Sequence, residues 1–521
     1  MMRKRILAVG IGLTLLAGAC SSDSSDETTT TAGRYDPPPT THASAETTTT
    51  AASGGDESEP YPAVEYDNPG LNRETDTERD ALSTFALDVD TGSYTVARRY
   101  VTDGNLPDPD SIRIEEYINY FDQDYSQPRD DVFAIHLDGG PTPYVSSERS
   151  RVLRIGIQAM DVADRDRKDA ALTFVVDTSG SMDRENRLGG VRWALSQLVE
   201  ELNRTDTVAI VEYGSQARVI LEPTRVRDRD RILNAIDSLR PNGSTNAAAG
   251  MDLGYRLAHD AFVDGGINRV ILASDGVANV GVTDANGILD RVREDADDGI
   301  QLVTVGFGMG NYNDTFMEQL ADNGDGFYAY VDTLEEAERL FVDDLTGTLQ
   351  TVAMDARVQV EFDEDTVSAW RLVGYENRDM EDHEFRNDEV DAGEIGAGHT
   401  VTALYEIVLT READHGASDT DLGAVSLRWH ETDSEKTTEI SRPITTDDLS
   451  ERFRSTDPRF QMSVMVAEYA EILRGDGRAY FSDTTLNQLA DDLWQIEDLA
   501  DDPDVREFID LVEHAASLRS R

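Results

Sequence analysis

The residues best placed to do chemistry are Asp177-Thr178-Ser179-Gly180-Ser181-Met182, Thr245 within Asn242-Gly243-Ser244-Thr245-Asn246, and Asp275 within Ala273-Ser274-Asp275-Gly276. A carboxylate and two hydroxyls at i, i+2 and i+4 can converge on one point from a tight loop. Mg²⁺ suits such a set, because it takes oxygen ligands in near-octahedral geometry at about 2.0–2.1 Å. Serine is a weak neutral ligand and leaves a bound metal electrophilic. Thr245 and Asp275 add two further oxygen donors. Two carboxylates about 4 Å apart repel by about 4 kcal/mol at an effective dielectric near 20. A cation is therefore expected to rigidify such a site. Taken alone, DxSxS is a weak pattern, since Ser and Asp after strands often serve as helix N-caps.

These residues need a scaffold that ends several strands at one rim. Between residues 169 and 350 buried-type strands alternate with amphipathic helices, the signature of a parallel sheet covered on both faces. Ala171 to Val176 is a continuous apolar run ending in Asp177, and Leu188, Val191, Leu195, Leu198 and Leu202 follow at helical spacing. Val208 to Tyr213 and Ala217 to Leu221 read as adjacent strands, Arg231 to Leu239 and Ala247 to Phe262 as helices. Val270 to Ala273 and Ile300 to Phe307 are further strands, and Thr333 to Leu349 a closing helix. Ligands of an open doubly wound sheet bind beyond the carboxyl ends of its strands, where all three motifs fall.

In this order, DxSxS, GSTN and SDG resemble the von Willebrand factor A domain with an intact metal-ion-dependent adhesion site. The resemblance implies that Ser179 and Ser181 bind the metal directly, Thr245 directly or through water, and Asp177 and Asp275 largely through water. It also implies a divalent cofactor, Mg²⁺ or else Mn²⁺ or Ca²⁺, with one position left for a carboxylate of a protein partner. The likeness extends to Thr84–Tyr94 and Arg113–Phe121, which are similar to the N-terminal extension of a bacterial lipoprotein family carrying a central von Willebrand A domain. Its C-terminal region of unknown function is similar to this chain from Pro458 onward. Members are often labelled calcium-activated chloride channel homologues, whereas no stretch beyond the N-terminus reaches the eighteen apolar residues of a spanning helix.

The N-terminus reads as an address. Arg3, Lys4 and Arg5 precede an apolar run from Ile6 to Leu16, followed by Ala17-Gly18-Ala19-Cys20. This matches an export signal, and the small residues before Cys20 resemble the bacterial lipobox, which implies lipidation at Cys20. The expected location is the extracytoplasmic side of the cell membrane, held by the lipid. Residues 21–60 are rich in Ser, Thr and acidic residues without apolar periodicity, and read as a disordered tether.

Around the central unit, residues 80–165 read as a mixed α/β and β region, 351–446 as an antiparallel β region and 455–521 as a helical segment. Phe85 to Asp90 alternates like a strand, which puts one of its faces, with Asp88 and Asp90, toward solvent. The fold expected overall is α/β, a doubly wound, mostly parallel sheet with flanking units.

Composition limits the partners. The 521 residues hold 47 Lys and Arg against 103 Asp and Glu, a formal charge of −56. Such a surface repels phosphate backbones, so nucleic acid is excluded as an expected partner. The single cysteine rules out an intrachain disulfide and a cysteine-based zinc site. The leading expectation is a non-enzymatic adhesion or assembly module. A scaffold of an envelope complex with a purely structural metal is the alternative. A serine hydrolase built on Ser179 or Ser181 ranks last, because no histidine lies near either motif and no GxSxG elbow occurs.

Overall fold

The computed structural model describes residues 70–519 apart from 130, 145–146, 276–284, 309–313, 389, 391, 416–417, 433, 435 and 476–484. The proposed signal, the tether and Cys20 lie outside the described residues.

The central unit is the expected wound sheet. Its strands run in the order Tyr328–Val331, Gln301–Phe307, Ile267–Ser274, Ala170–Asp177, Thr207–Tyr213, Ala217–Arg225. All neighbours are parallel except the last pair. Every residue of Ala170–Asp177 is buried, which explains why the strand is apolar apart from Thr173 and the terminal Asp177. Leu172, Phe174 and Val176 pack on one face with Val191, Leu195 and Leu198 of the Arg187–Glu201 helix. Val175 on the other face belongs to the core formed with Met251, Tyr255 and Leu257 of the Ala247–Ala261 helix.

The flanking segments do not fold in the order in which they occur. Leu82–Ala86 pairs with Thr351–Phe362, and Ser150–Ala159 with Thr400–Leu409, so strands from before and after the central unit share sheets. The two antiparallel sheets enclose one core, with Phe362 against Tyr405 and Phe133 against Trp429, ring centroids 5.4 and 5.0 Å apart. The helices Gly92–Thr102 and Ile114–Tyr120 join Pro458–Arg474, Leu486–Leu493 and Pro503–Arg519 in a second core. The central unit is thus inserted into a body assembled from both ends of the chain. Its two necks are held side by side: Gly398 N–H donates to Met160 O and Ala397 N–H to Gln350 O, both at 2.8 Å.

A buried guanidinium also clasps the inserted unit. Arg98 donates to both carboxylate oxygens of Asp332 (2.9 and 2.6 Å), to Glu336 (2.9 Å) and to the Tyr120 hydroxyl (2.6 Å), with Glu507 of the last helix at 3.4 Å.

Two expectations are corrected. The strand beginning before Phe85 stops at Ala86, and Asp88 and Asp90 are not on a solvent face. Arg378 reaches to within 3.9 Å of Asp88 and 3.7 Å of Asp90, and also approaches Glu115 and Glu116. The closing helix is broken into Leu334–Glu338, a π-helical turn Arg339–Asp343 and Leu345–Leu349. There Arg339 donates to Tyr120 O at 2.6 Å and lies over the Tyr120 ring, a tertiary contact that outweighs helical periodicity. Among the described residues no helix is long and apolar enough to cross a membrane.

Candidate metal centre

The site begins where the central strand ends. The Thr178 N–H and hydroxyl both donate to Tyr213 O, at 2.8 and 3.0 Å, which ties the first loop to the end of the neighbouring strand. The second loop is laced to the first, because Gly180 N–H donates to Gly243 O at 3.0 Å and Asn242 N–H to Thr178 O. Gly243 has φ of +82°, and a Cβ there would collide with Ser215. Glycine is needed at that turn. Thr245 follows two residues later, almost fully buried, and Asn246 caps the next helix by accepting from Ala249 N–H at 3.2 Å.

The third loop meets the first through side chains. The Ser274 hydroxyl donates to Asp177 Oδ2 at 3.1 Å, while Ser179 N–H donates to Asp177 Oδ1 at 2.7 Å. Asp275 is fully buried; its Oδ2 accepts from Arg187 Nη1 at 2.9 Å. Its Oδ1 is buried without a hydrogen-bond partner among the described residues. Gly276 lies outside those residues.

Of the two side chains in the helix-cap reading of DxSxS, Asp177 does accept a backbone N–H, that of Ser179. The Ser179 side chain makes no capping bond to the 3₁₀ turn Gly180–Asn186 that follows. Instead the Ser179 and Ser181 hydroxyls face each other at 2.9 Å, with Ser181 partly exposed. Burial, and then the charge of Asp275, push the Asp177 carboxyl up to about 6 against the pull of the Ser179 and Ser274 donors. Burial, with Asp177 next, likewise raises the Tyr213 hydroxyl well above its ordinary range.

These residues fit a divalent cation. The donors are hard oxygens, Asp177 is held in place by neutral donors and Asp275 by Arg187, and an orphaned buried oxygen on Asp275 is the kind of group that an ion or its water satisfies. The structure links Asp177, Ser179 and Ser181 directly, joins Asp275 to them through Ser274, and holds Thr245 through the Gly243–Gly180 bond. When bound, the cation would supply Lewis acidity toward an anionic oxygen; Ser179, Ser181 and Thr245 would hold it, and the two aspartates would balance its charge.

Arg187, Ser274 and Tyr213 belong to the site and were not singled out from the sequence. Ser274 is next to Asp275 and could have been found by its place at the strand end. Arg187 carries no local signal, since it resembles any cation on a helix surface.

Comparison with known proteins agrees with this architecture. Residues 171–343 match the von Willebrand factor type A domain, residues 61–153 a family described as von Willebrand factor, and residues 347–518 the family described as uncharacterized protein YfbK, C-terminal. Uncharacterized protein YfbK of Escherichia coli is 36% identical over 460 residues, spanning 83% of this chain and 78% of that protein. The chain belongs to the YfbK family. Its central unit is a von Willebrand factor A domain, and the flanking body includes the YfbK C-terminal region. A second relative, uncharacterized protein sll0103 of Synechocystis, is 30% identical over 192 residues, 37% of this chain and 44% of its own length. Among solved structures, a von Willebrand factor type A protein from Catenulispora acidiphila aligns with a TM-score of 0.41 and 17% identity, covering 68% of this chain and 81% of that one. The von Willebrand factor A domain suggests a protein-interaction or adhesion module.

Proposed function

We propose that this protein is a lipid-anchored, extracytoplasmic adhesion or assembly module that grips an acidic group of a protein partner through a divalent cation. The observation that carries the reading is the pairing of two mutually bonded hydroxyls, Ser179 and Ser181, with a buried oxygen of Asp275 that has no hydrogen-bond partner among the described residues, at neighbouring strand ends. Neutral ligands leave the cation electrophilic, so an incoming carboxylate completes its shell. The Ser179 and Ser181 hydroxyls bond to each other, and no histidine lies near either motif in the sequence, which favours ligation over nucleophilic catalysis.

Partner capture from envelope extracts of the native host, with and without chelator, tests the proposal. Capture should need Mg²⁺ or Mn²⁺ and disappear in Ser179→Ala and Asp275→Ala. Capture unaffected by both chelator and substitution refutes it. Anchoring is tested separately: Cys20→Ala should release the chain from membranes, and retention would refute the lipid anchor.

A scaffold with a structural metal remains the second reading. The burial of Arg98 between Asp332, Glu336 and Glu507 favours it, because this clasp joins the inserted domain to the body independently of any cation. Metal removal would then lower the melting temperature and leave partner affinity unchanged.

A further inference from the structure

Arg187 is the first residue of the helix that follows the Ser179–Ser181 loop, and its side chain is only 5% exposed. Its guanidinium donates to Asp275 Oδ2 at 2.9 Å, and that carboxylate is fully buried. It is also confined from behind. Gly308, with φ of +82°, lies so close that a Cβ there would collide with Nε and stand 2.6 Å from Cδ. The Arg187 side chain thus packs against the residue that follows the Gln301–Phe307 strand, and its guanidinium cannot lose its proton. A permanent positive charge is therefore built against one of the two carboxylates of the metal centre.

This arrangement has two opposed effects. A carboxylate that shares its charge with a guanidinium attracts a divalent ion less, and the guanidinium itself repels that ion at short range. The ion that does bind is less neutralised by the protein and keeps more attraction for an external anion. Only Asp177 remains as an unshared counter-charge.

We propose that Arg187 is a charge-setting and positioning residue of the metal centre: by holding Asp275 in a buried ion pair, it weakens the resting grip on the cation and strengthens that cation's hold on a partner's carboxylate. The inference rests on the reading of the three loops as a metal centre.

Titration of the full chain with Mn²⁺ alone, followed by acetate as the carboxylate probe, tests it. Calorimetry reports the Mn²⁺ affinity, and the relaxation of water protons on the bound Mn²⁺ reports displacement of water by acetate. Arg187→Met should bind Mn²⁺ at least about tenfold more tightly and acetate several-fold more weakly, whereas Arg187→Lys should stay within about threefold of wild type on both. Arg187→Gln is measured alongside and serves if the methionine variant fails to fold. Unchanged Mn²⁺ and acetate affinities in the Met or Gln variant, with binding abolished by Ser179→Ala, overturn the role of Arg187 and leave the metal centre standing. Mn²⁺ binding that survives Ser179→Ala overturns the metal centre and this inference with it.

Discussion

Asp177→Asn should make the metal-free protein more stable and the metal-loaded protein less responsive. Asp177 sits at the bottom of the site, and burial raises its carboxyl from an ordinary value of 3.8 to about 6. A rise of that size corresponds to about 3 kcal/mol between the two protonation states. The sign follows from the direction of the shift. The folded state holds the proton more tightly than the unfolded chain, so the associated stability is complete below about pH 4 and is lost as pH climbs through about 6. At pH 8 without metal the ionised carboxylate therefore costs up to about 3 kcal/mol. Asparagine fits the same place, because its oxygen can accept from Ser179 N–H and its amide can donate to the Ser274 hydroxyl, now turned to accept. Urea unfolding in chelator should show the variant ahead of wild type at pH 8 and level with it near pH 4. Saturating Mg²⁺ should reverse the order at pH 8, since the cation repays the carboxylate and not the amide. A variant less stable than wild type in chelator at pH 8 would refute the claim that this buried charge is uncompensated without metal.

Thr245→Ala removes an oxygen from the second loop and should weaken Mn²⁺ binding about tenfold, close to 1.4 kcal/mol, in calorimetry; equal affinity would place Thr245 outside the coordination sphere. Arg98→Met strands Asp332 and Glu336 in a buried setting and should cost about 3–5 kcal/mol in denaturant unfolding; a loss under 1 kcal/mol, on the scale of an exposed pair, would contradict the clasp. Burial, aided by Glu318 and Glu115 and opposed by Arg378, pushes the Glu116 carboxyl up to about 8. The stability tied to its proton should be lost as pH rises through 8, and Glu116→Gln should flatten the fall in melting temperature between pH 7 and 9. Parallel curves for the two proteins would exclude Glu116 as the source.

The three loops could be placed at the strand ends from the chain because their information is local. Asp177, Ser179 and Ser181 lie within five residues, and the Ala171–Val176 run, apolar except for Thr173, has the length and composition of a strand buried on both faces. Thr245 and Asp275 were legible for a related reason, standing where a helix begins and where a strand ends. The flanking body was not legible in the same way. Periodicity shows which face of Leu82–Ala86 is buried but not that its partner is Thr351–Phe362, and nothing in Gly92–Thr102 points to the helix Pro503–Arg519. Asp88 and Asp90 misled for that reason, since the cation that covers them, Arg378, comes from almost 300 residues further along. Arg187 stayed hidden because only the folded rim sets it against Asp275.

The paired bonds from Ala397 and Gly398 to the backbones of Gln350 and Met160 make the von Willebrand factor A domain a cassette. Entry and exit occupy adjacent sockets on one stretch of the host body, so a different domain with similarly spaced ends could be plugged in without rethreading a sheet. Recognition could therefore diversify while the chassis stayed fixed.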